Sequence, residues 1–252
     1  MGRVDGKVAL VTGGGSGLGA ADCELLAREG ASVIVSDVNL KAAQAVAERI
    51  GDTAVALAHD VASEDAWVSV IGDIGRRFGR LDILVNNAGV VHMADFEECT
   101  LEKYRWVNSI MSDGVFLGCK HAVPLMNRNV GGSIINMSST GALLGYPIFF
   151  AYSAAKGAVR SLTKSVAVAC QEKGYKIRCN SVHPGTIETP MVQFASGREG
   201  DEQPVAEGVL PAGAHGAPID VANLVLFLAS EESRFITGAE FVIDNGLTIR
   251  PF

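Results

Sequence analysis

The sequence predicts a single-domain α/β fold, a doubly wound parallel sheet of seven strands with helices on both faces. Two observations carry this expectation. Short apolar, β-branched runs alternate with longer amphipathic stretches along all 252 residues, the rhythm of strand–helix–strand crossovers. The runs also lack the polar alternation of half-exposed strands, so both of their faces need covering.

The first strand is Lys7–Thr12, followed by a glycine turn and a helix ending near Gly30. Ser32–Ser36 and Ala54–Ala58 are strands, each followed by a helix, Leu40–Ile50 and Glu64–Phe78. Ile83–Asn86 is the fourth strand, and one long helix is expected from about Leu101 to Asn127. Ser133–Met137, a helix over Ala151–Glu172, Ile177–Val182 and Phe241–Ile243 complete the sheet. No linker breaks the rhythm, so residues 1–252 form one domain. Gln193–Pro218, rich in Gly, Ala, Glu and Pro, is the exception and is expected to be a mobile lid insertion.

Composition narrows the classes. A chain 48% hydrophobic with 29 glycines is not disordered. Net charge is −7 and no Lys/Arg run stands out, so neither nucleic acid nor an anionic membrane is an expected partner. Cys23, Cys99, Cys119, Cys170 and Cys179 are scattered without a C-x-x-C pair, which argues against a disulfide scaffold or a zinc site. They fit a reducing compartment, and a cytoplasmic location is expected. Met1–Gly6 lacks the apolar stretch of a secretion signal, and no uncharged apolar run is long enough to span a bilayer.

Gly13-Gly14-Gly15-Ser16-Gly17-Leu18-Gly19 lies between the first strand and the first helix. Glycines there let backbone approach a pyrophosphate, and the helix N-terminus offers free N–H groups and partial positive charge. Gly13, Ser16, Gly17, Leu18 and Gly19 are therefore candidate dinucleotide contacts. Asp37 ends the second strand; its carboxylate can accept from an adenosine ribose and would repel a 2′-phosphate. With no cation in the glycine loop, NAD is expected rather than NADP. A helix-capping role for Asp37 is compatible with this. Asp60 and Val61 follow the third strand and Asn86-Asn87-Ala88-Gly89 ends the fourth, both where doubly wound sheets bind ligands. Taken singly, Asp60 reads equally as a cap and Asn-Ala-Gly as a turn.

Ser138-Ser139 ends the fifth strand, and Tyr152 and Lys156 share a face of the following helix. A phenol titrates at roughly pH 10, too high for a base near neutrality. A nearby ammonium and a cationic nicotinamide ring would favour the phenolate. Tyr152 would then exchange a proton with an alcohol or ketone oxygen that Ser139 holds. The plain alternative is a surface Tyr/Lys pair beside a serine turn. His183 has no second ligand at useful spacing, so no metal site is expected and a packed loop histidine is. Leu143, Leu144, Tyr146, Phe149, Met191, Val192 and Phe194, with His92 and Met93, are candidates for an apolar substrate pocket or for packing.

These motifs resemble the short-chain dehydrogenase/reductase family over nearly the whole chain. Thr12–Gly19 resembles its T-G-x-x-x-G-x-G loop, Asn86–Gly89 its N-N-A-G, Ser139 its catalytic serine, and Tyr152…Lys156 its Y-x-x-x-K. The resemblance implies a Rossmann-type sheet, alcohol–ketone chemistry and a nicotinamide cofactor. Asp60 and Val61 would touch adenine, and Asn87, Ala88 and Gly89 would border the cofactor. Lys156, beside Tyr152, would hold the nicotinamide ribose. Pro184–Thr189 resembles the family's P-G loop, which implies carboxamide contacts from Ile187 and Thr189. A homotetramer is implied, joined through the long helices after the fourth and fifth strands and near the last strand.

A narrower resemblance is to bacterial 3β/17β-hydroxysteroid dehydrogenases, through His59-Asp60-Val61, Gly132–Met137, Gly174-Tyr175 with Ile177-Arg178, and Leu224–Ser230. It implies a steroid or another bulky cyclic alcohol. Reduction of small ketones or polyols is the alternative within the family. One position departs: aligned on Gly114-Val115-Phe116, the family's catalytic asparagine falls on Met111, and a thioether has no amide donor. The family role runs largely through a backbone carbonyl, which survives if the helix keeps a local distortion. Asn108 is a candidate stand-in. A weakened proton relay is expected, and a dinucleotide-binding sensor without turnover is the rival reading.

Overall fold

The computed structural model describes residues 2–128, 131–198, 208 and 210–250. Seven parallel strands form one sheet: β1 (Val8–Thr12), β2 (Ser32–Asp37), β3 (Ala54–Ala58), β4 (Ile83–Asn86), β5 (Gly132–Met137), β6 (Ile177–Pro184) and β7 (Glu240–Ile243). Their spatial order is β3-β2-β1-β4-β5-β6-β7, so the chain reverses direction of travel at the β1–β4 junction.

Strand alternation sends side chains to two cores. Ala9 and Val11 of β1, Val33 and Val35 of β2, and Ile83 and Val85 of β4 face one side. There they meet Leu25 and Leu26 of α1 (Gly17–Arg28), Val46 of α2 (Leu40–Ile50) and Val225 of α8 (Pro218–Ala229). Leu10, Ile34, Leu84 and Ile134 face the other. Their partners are Trp67 and Ile74 of α3 (Glu64–Phe78), Leu117 of α5 (Gly114–Asn127) and Val159 of α6 (Phe150–Glu172). Both faces are apolar because both are covered. Caps set helix starts: Asn39 accepts from Ala42 N, Ser63 from Ala66 N, and Thr100 from Lys103 N at the head of α4 (Leu101–Asn108).

Four segments differ from the sequence reading. The expected single helix over Leu101–Asn127 is α4 and α5 with a π-helical turn, Ser109–Asp113, between them. β6 runs on through Pro184, so His183 is a buried strand residue and not a loop residue. The insertion does not start free at Gln193, because Gln193–Ala195 close a short helix, α7 (Pro190–Ala195). It ends where α8 begins, a helix with no polar stripe and hence no period to read. Residues 199–207 and 209 of the insertion lie outside the described residues.

Candidate active site

A cleft of about 540 Å³ opens at the carboxyl ends of the strands, across the β1–β4 junction where doubly wound sheets bind ligands. β1 and β4 are tied there through Thr12, a residue the motif contained without showing its role. Thr12 Oγ1 donates to Val85 O (3.3 Å) and accepts from Asn87 N (3.0 Å) and Ala88 N (3.1 Å). Asn87 Nδ2 returns bonds to Thr12 O (3.0 Å) and Gly13 O (3.2 Å). The glycine turn is thus pinned to the Asn-Ala-Gly turn.

Gly13 (φ +64°) and Gly17 (φ +54°) are left-handed, which a side chain resists. A Cβ on Gly13 would come within 2.9 Å of Ala88 Cα. Gly13, Ser16, Gly17 and Leu18 line the cleft. Gly19 does not: it is buried, and a Cβ there would collide with the Gly13 carbonyl. There it lets α1 approach the turn closely. Ser16 makes no side-chain cap to α1, so the first-turn amides are left to whatever enters the cleft. This open helix N-terminus beside a side-chain-free turn fits a dinucleotide pyrophosphate.

Asp37, Val38, Asp60 and Val61 line the end of the cleft nearer β2 and β3. Asp37 Oδ2 accepts from Gly15 N (3.0 Å) and Oδ1 from Asn39 N (2.8 Å), which fixes the carboxylate at the turn. Asp60 accepts from Ala62 N (3.0 Å), and Val61 O accepts from Trp67 Nε1 (3.0 Å). His59 sits beneath; its Nδ1 meets Ser36 Oγ at 3.1 Å, and burial pulls its pKa down to about 4, so it is neutral.

The other end gathers Asn87, Ala88, Gly89, Ser139, Tyr152, Lys156, Ile187 and Thr189. Ser139 is extended (φ −168°), and its Oγ accepts from Gly141 N (3.1 Å) and is hydrogen-bonded with Tyr152. His183 supports it from below: Nδ1 donates to Ser139 O (3.2 Å), which leaves Nε2 to accept from Ser181 Oγ (2.9 Å). Sequence reasoning missed this bracing, because a lone histidine carries no signal for it. Lys156 is buried; its Nζ donates to Met137 O (2.8 Å) and lies 5.6 Å from the Tyr152 ring centre. Desolvation lowers it to about 8. Burial raises Tyr152 above the ordinary phenol, and the Ser139 hydrogen bond only partly offsets that. The lowering expected from the ammonium is therefore not supplied by the protein groups alone.

Met111 sits within the π turn, fully buried with Val107, Ala151 and Ala155. Its sulfur and Lys156 Nζ both lie against Gly89, 3.3 and 3.8 Å from where a Cβ would be. The distortion survives the asparagine's replacement: Gly114 N donates to Ser109 O, five residues back. Asn108 is not brought to the cleft; its amide donates to Tyr104 O (2.8 Å) in its own helix.

Met191 and Val192 line the cleft as expected, joined by Val90, Trp106 and Ile110, which the sequence did not single out. Leu143, Leu144, Tyr146, Phe149, Phe194, His92 and Met93 are not part of its lining. Tyr146 and Phe149 instead form an aromatic file leading to Tyr152, with ring centres 6.1 and 6.2 Å apart.

A cleft with a glycine turn, a carboxylate at the end of β2 and a Ser/Tyr/Lys set defines a nucleotide-dependent oxidoreductase class. Residues 13–248 match the family described as enoyl-(acyl carrier protein) reductase. The chain is 42% identical to 3-beta-hydroxysteroid dehydrogenase of Comamonas testosteroni over 247 residues, 97% of each chain. It is 41% identical to NADP-dependent (R)-specific alcohol dehydrogenase of Lentilactobacillus kefiri, over 98% of each. With cyclopentanol dehydrogenase of Comamonas sp. (strain NCIMB 9872) the identity is 42%, over 98% of this chain and 99% of the relative. The chain belongs to the short-chain dehydrogenase/reductase family, whose members use nicotinamide cofactors. No described helix is long and apolar enough to cross a membrane.

Proposed function

We propose that this chain interconverts secondary alcohols and ketones with NAD, and that its substrate is a hydroxysteroid or another bulky cyclic alcohol. The observation that carries the reading is the convergence of Ser139, Tyr152 and Lys156 on one wall of a cleft whose other end holds the glycine turn and Asp37. NAD, when bound, supplies the hydride acceptor. The chain's own residues do the rest. Ser139 Oγ holds the substrate oxygen, Tyr152 takes the hydroxyl proton or returns it to a ketone, and Lys156 supplies positive charge beside the phenol. Ile187 and Thr189 would touch the carboxamide, and Asp60 and Val61 the adenine.

Support for NAD over NADP is the Asp37 carboxylate, fixed by two amides where a 2′-phosphate would sit, and a glycine loop without a cation. Support for a bulky apolar substrate is the Val90, Trp106, Ile110, Met191 and Val192 lining, together with relatives named for steroid and cyclic-alcohol oxidation. Residues 193–218 would act as the lid. A homotetramer is expected from the family, and Phe116, Phe150 and Val168 leave apolar surface on α5 and α6.

The test is a substrate panel followed by NADH fluorescence: hydroxysteroids, cyclic alcohols, and small acyclic ketones or polyols. Turnover of the bulky cyclic alcohols with NAD is expected. Turnover of only small ketones or polyols would move the substrate class. Met111 favours the rival reading specifically; NAD binding without turnover of any alcohol or ketone would establish the sensor.

A further inference from the structure

The sheet has a second cleft, at the end opposite the first. It is formed where β1, β4, β5 and β6 begin and where the chain leaves α8, and encloses about 610 Å³. Five cations line it, Lys7, Arg80, Lys176, Arg178 and Arg234, against two carboxylates, Asp82 and Glu231. That excess stands out in a chain of net charge −7.

Both carboxylates are already engaged. Arg80 grips Asp82 through Nε (2.8 Å) and Nη2 (2.6 Å), and Lys7 Nζ donates to Glu231 Oε1 (2.5 Å). Lys176 and Arg234 have no ion pair among the described residues and are exposed. Arg178 Nη2 donates to Leu228 O (2.8 Å) and Ser230 O (3.1 Å), but its Nη1 is buried with no acceptor among the described residues. A guanidinium nitrogen desolvated without an acceptor is costly, and no described residue supplies one. The local field is positive enough to act on Glu231, whose carboxyl is held below its usual range by the Lys7 hydrogen bond first and by Arg178 and Arg234 in addition.

We infer that this cleft is a second ligand site, for a polyphosphate oxyanion that bridges Lys176, Arg178 and Arg234. A guanidinium matches phosphate oxygens with paired donors, and an ammonium adds point charge. The volume exceeds that of a single phosphate and admits a chain of two or three. The cleft lies across the sheet from Tyr152, so occupancy is not part of the reaction, and the inference does not depend on the proposed substrate.

The experiment is calorimetric titration of tripolyphosphate at fixed ionic strength without nucleotide, the variants below distinguishing this cleft from the first. One equivalent per chain is expected to bind the wild-type protein. The Lys176→Glu/Arg234→Glu variant, in which only exposed side chains change, should bind at least tenfold more weakly while melting temperature and turnover are kept. Arg49→Glu/Arg76→Glu, a charge-matched change elsewhere, should bind within twofold of wild type. ATP binding as tightly as tripolyphosphate would show that the phosphate chain is what is read. No binding to wild type, equal loss in both variants, or binding of ATP with exclusion of tripolyphosphate would overturn the inference.

Discussion

At the scale of single residues, the chemistry depends on a lysine that burial works against. Lys156 has its pKa lowered from 10.5 to about 8 by desolvation, so it is an ammonium below that pH and neutral above it. Tyr152 stays protonated through the same range. On the proposed mechanism, ketone reduction needs the phenol proton and the ammonium together. Its kcat/KM is expected to be level below pH 7 and to fall as pH rises through about 8; a pH–rate series level through pH 9.5 would contradict the assignment. Met111 is the second case. The π turn keeps the backbone distortion, but the thioether brings no donor beside Lys156 Nζ. Met111→Asn is expected to raise kcat, by less than the roughly 10²-fold that a whole general acid–base group supplies. It should also lower stability by about 1–3 kcal/mol, because the amide enters a site of Val107, Ala151 and Ala155. Unchanged turnover would mean that the relay is not limited here.

At the scale of elements, the P-G loop and the insertion are joined at Glu188. Its Oε2 accepts from His215 Nδ1 (2.8 Å) and Arg198 Nη2 (3.3 Å), one on each side of the undescribed stretch. Glu188 N donates to Gly216 O (2.8 Å), and Gly216 N to Thr186 O (3.0 Å). The anchor therefore sits between Ile187 and Thr189, both on the cleft wall. If the insertion acts as the proposed lid, Glu188→Ala should release both arms and raise substrate KM, with kcat changing alongside it; steady-state kinetics at pH 7 decide. The sign with pH follows from the depressed Glu188 pKa, which its His215 hydrogen bond causes first. The anchor holds above the ordinary carboxylate range and is lost as pH falls and Glu188 protonates.

At the scale of the whole molecule, the sheet was legible because strands covered on both faces read as uninterrupted apolar blocks. Leu40–Ile50, Ala54–Ala58, Glu64–Phe78 and Ile83–Asn86 have the bounds that the pattern gave them. The α8 helix was not legible, since its outer face carries Ile219, Leu224 and Phe227 and is nearly as apolar as the buried one, and neither was the π turn, which keeps the apolar spacing of the helices around it. Within the cleft, residues in a motif were legible by position, whereas Trp106, Ile110 and the bracing His183 converge only through tertiary structure. The cationic cleft was hidden for the same reason, its charges being spread from Lys7 to Arg234. One global property follows from a residue no motif contains. Asp22, in α1, is fully buried, and neither carboxyl oxygen has a partner among the described residues. Desolvation raises its pKa well above the usual value. A raised carboxyl stabilises the fold at low pH and ceases to as pH climbs through its folded pKa. Asp22→Leu is thus expected to raise stability at pH 7 by about 1–3 kcal/mol, and by less at pH 4. Urea unfolding at both pH values checks it, and a loss of stability at pH 7 would contradict it.

On the proposed mechanism, Tyr152 exchanges a proton with the substrate oxygen in a cleft that holds the nicotinamide cofactor independently of that hydroxyl. Tyr152→Phe tests it most directly, with turnover of a cyclic secondary alcohol and NADH affinity measured on the same protein. A fall in kcat of at least about 10²-fold is expected, the scale of a lost general acid–base group, with NADH affinity within about twofold of wild type. A variant that retains the turnover of the wild-type enzyme would contradict it.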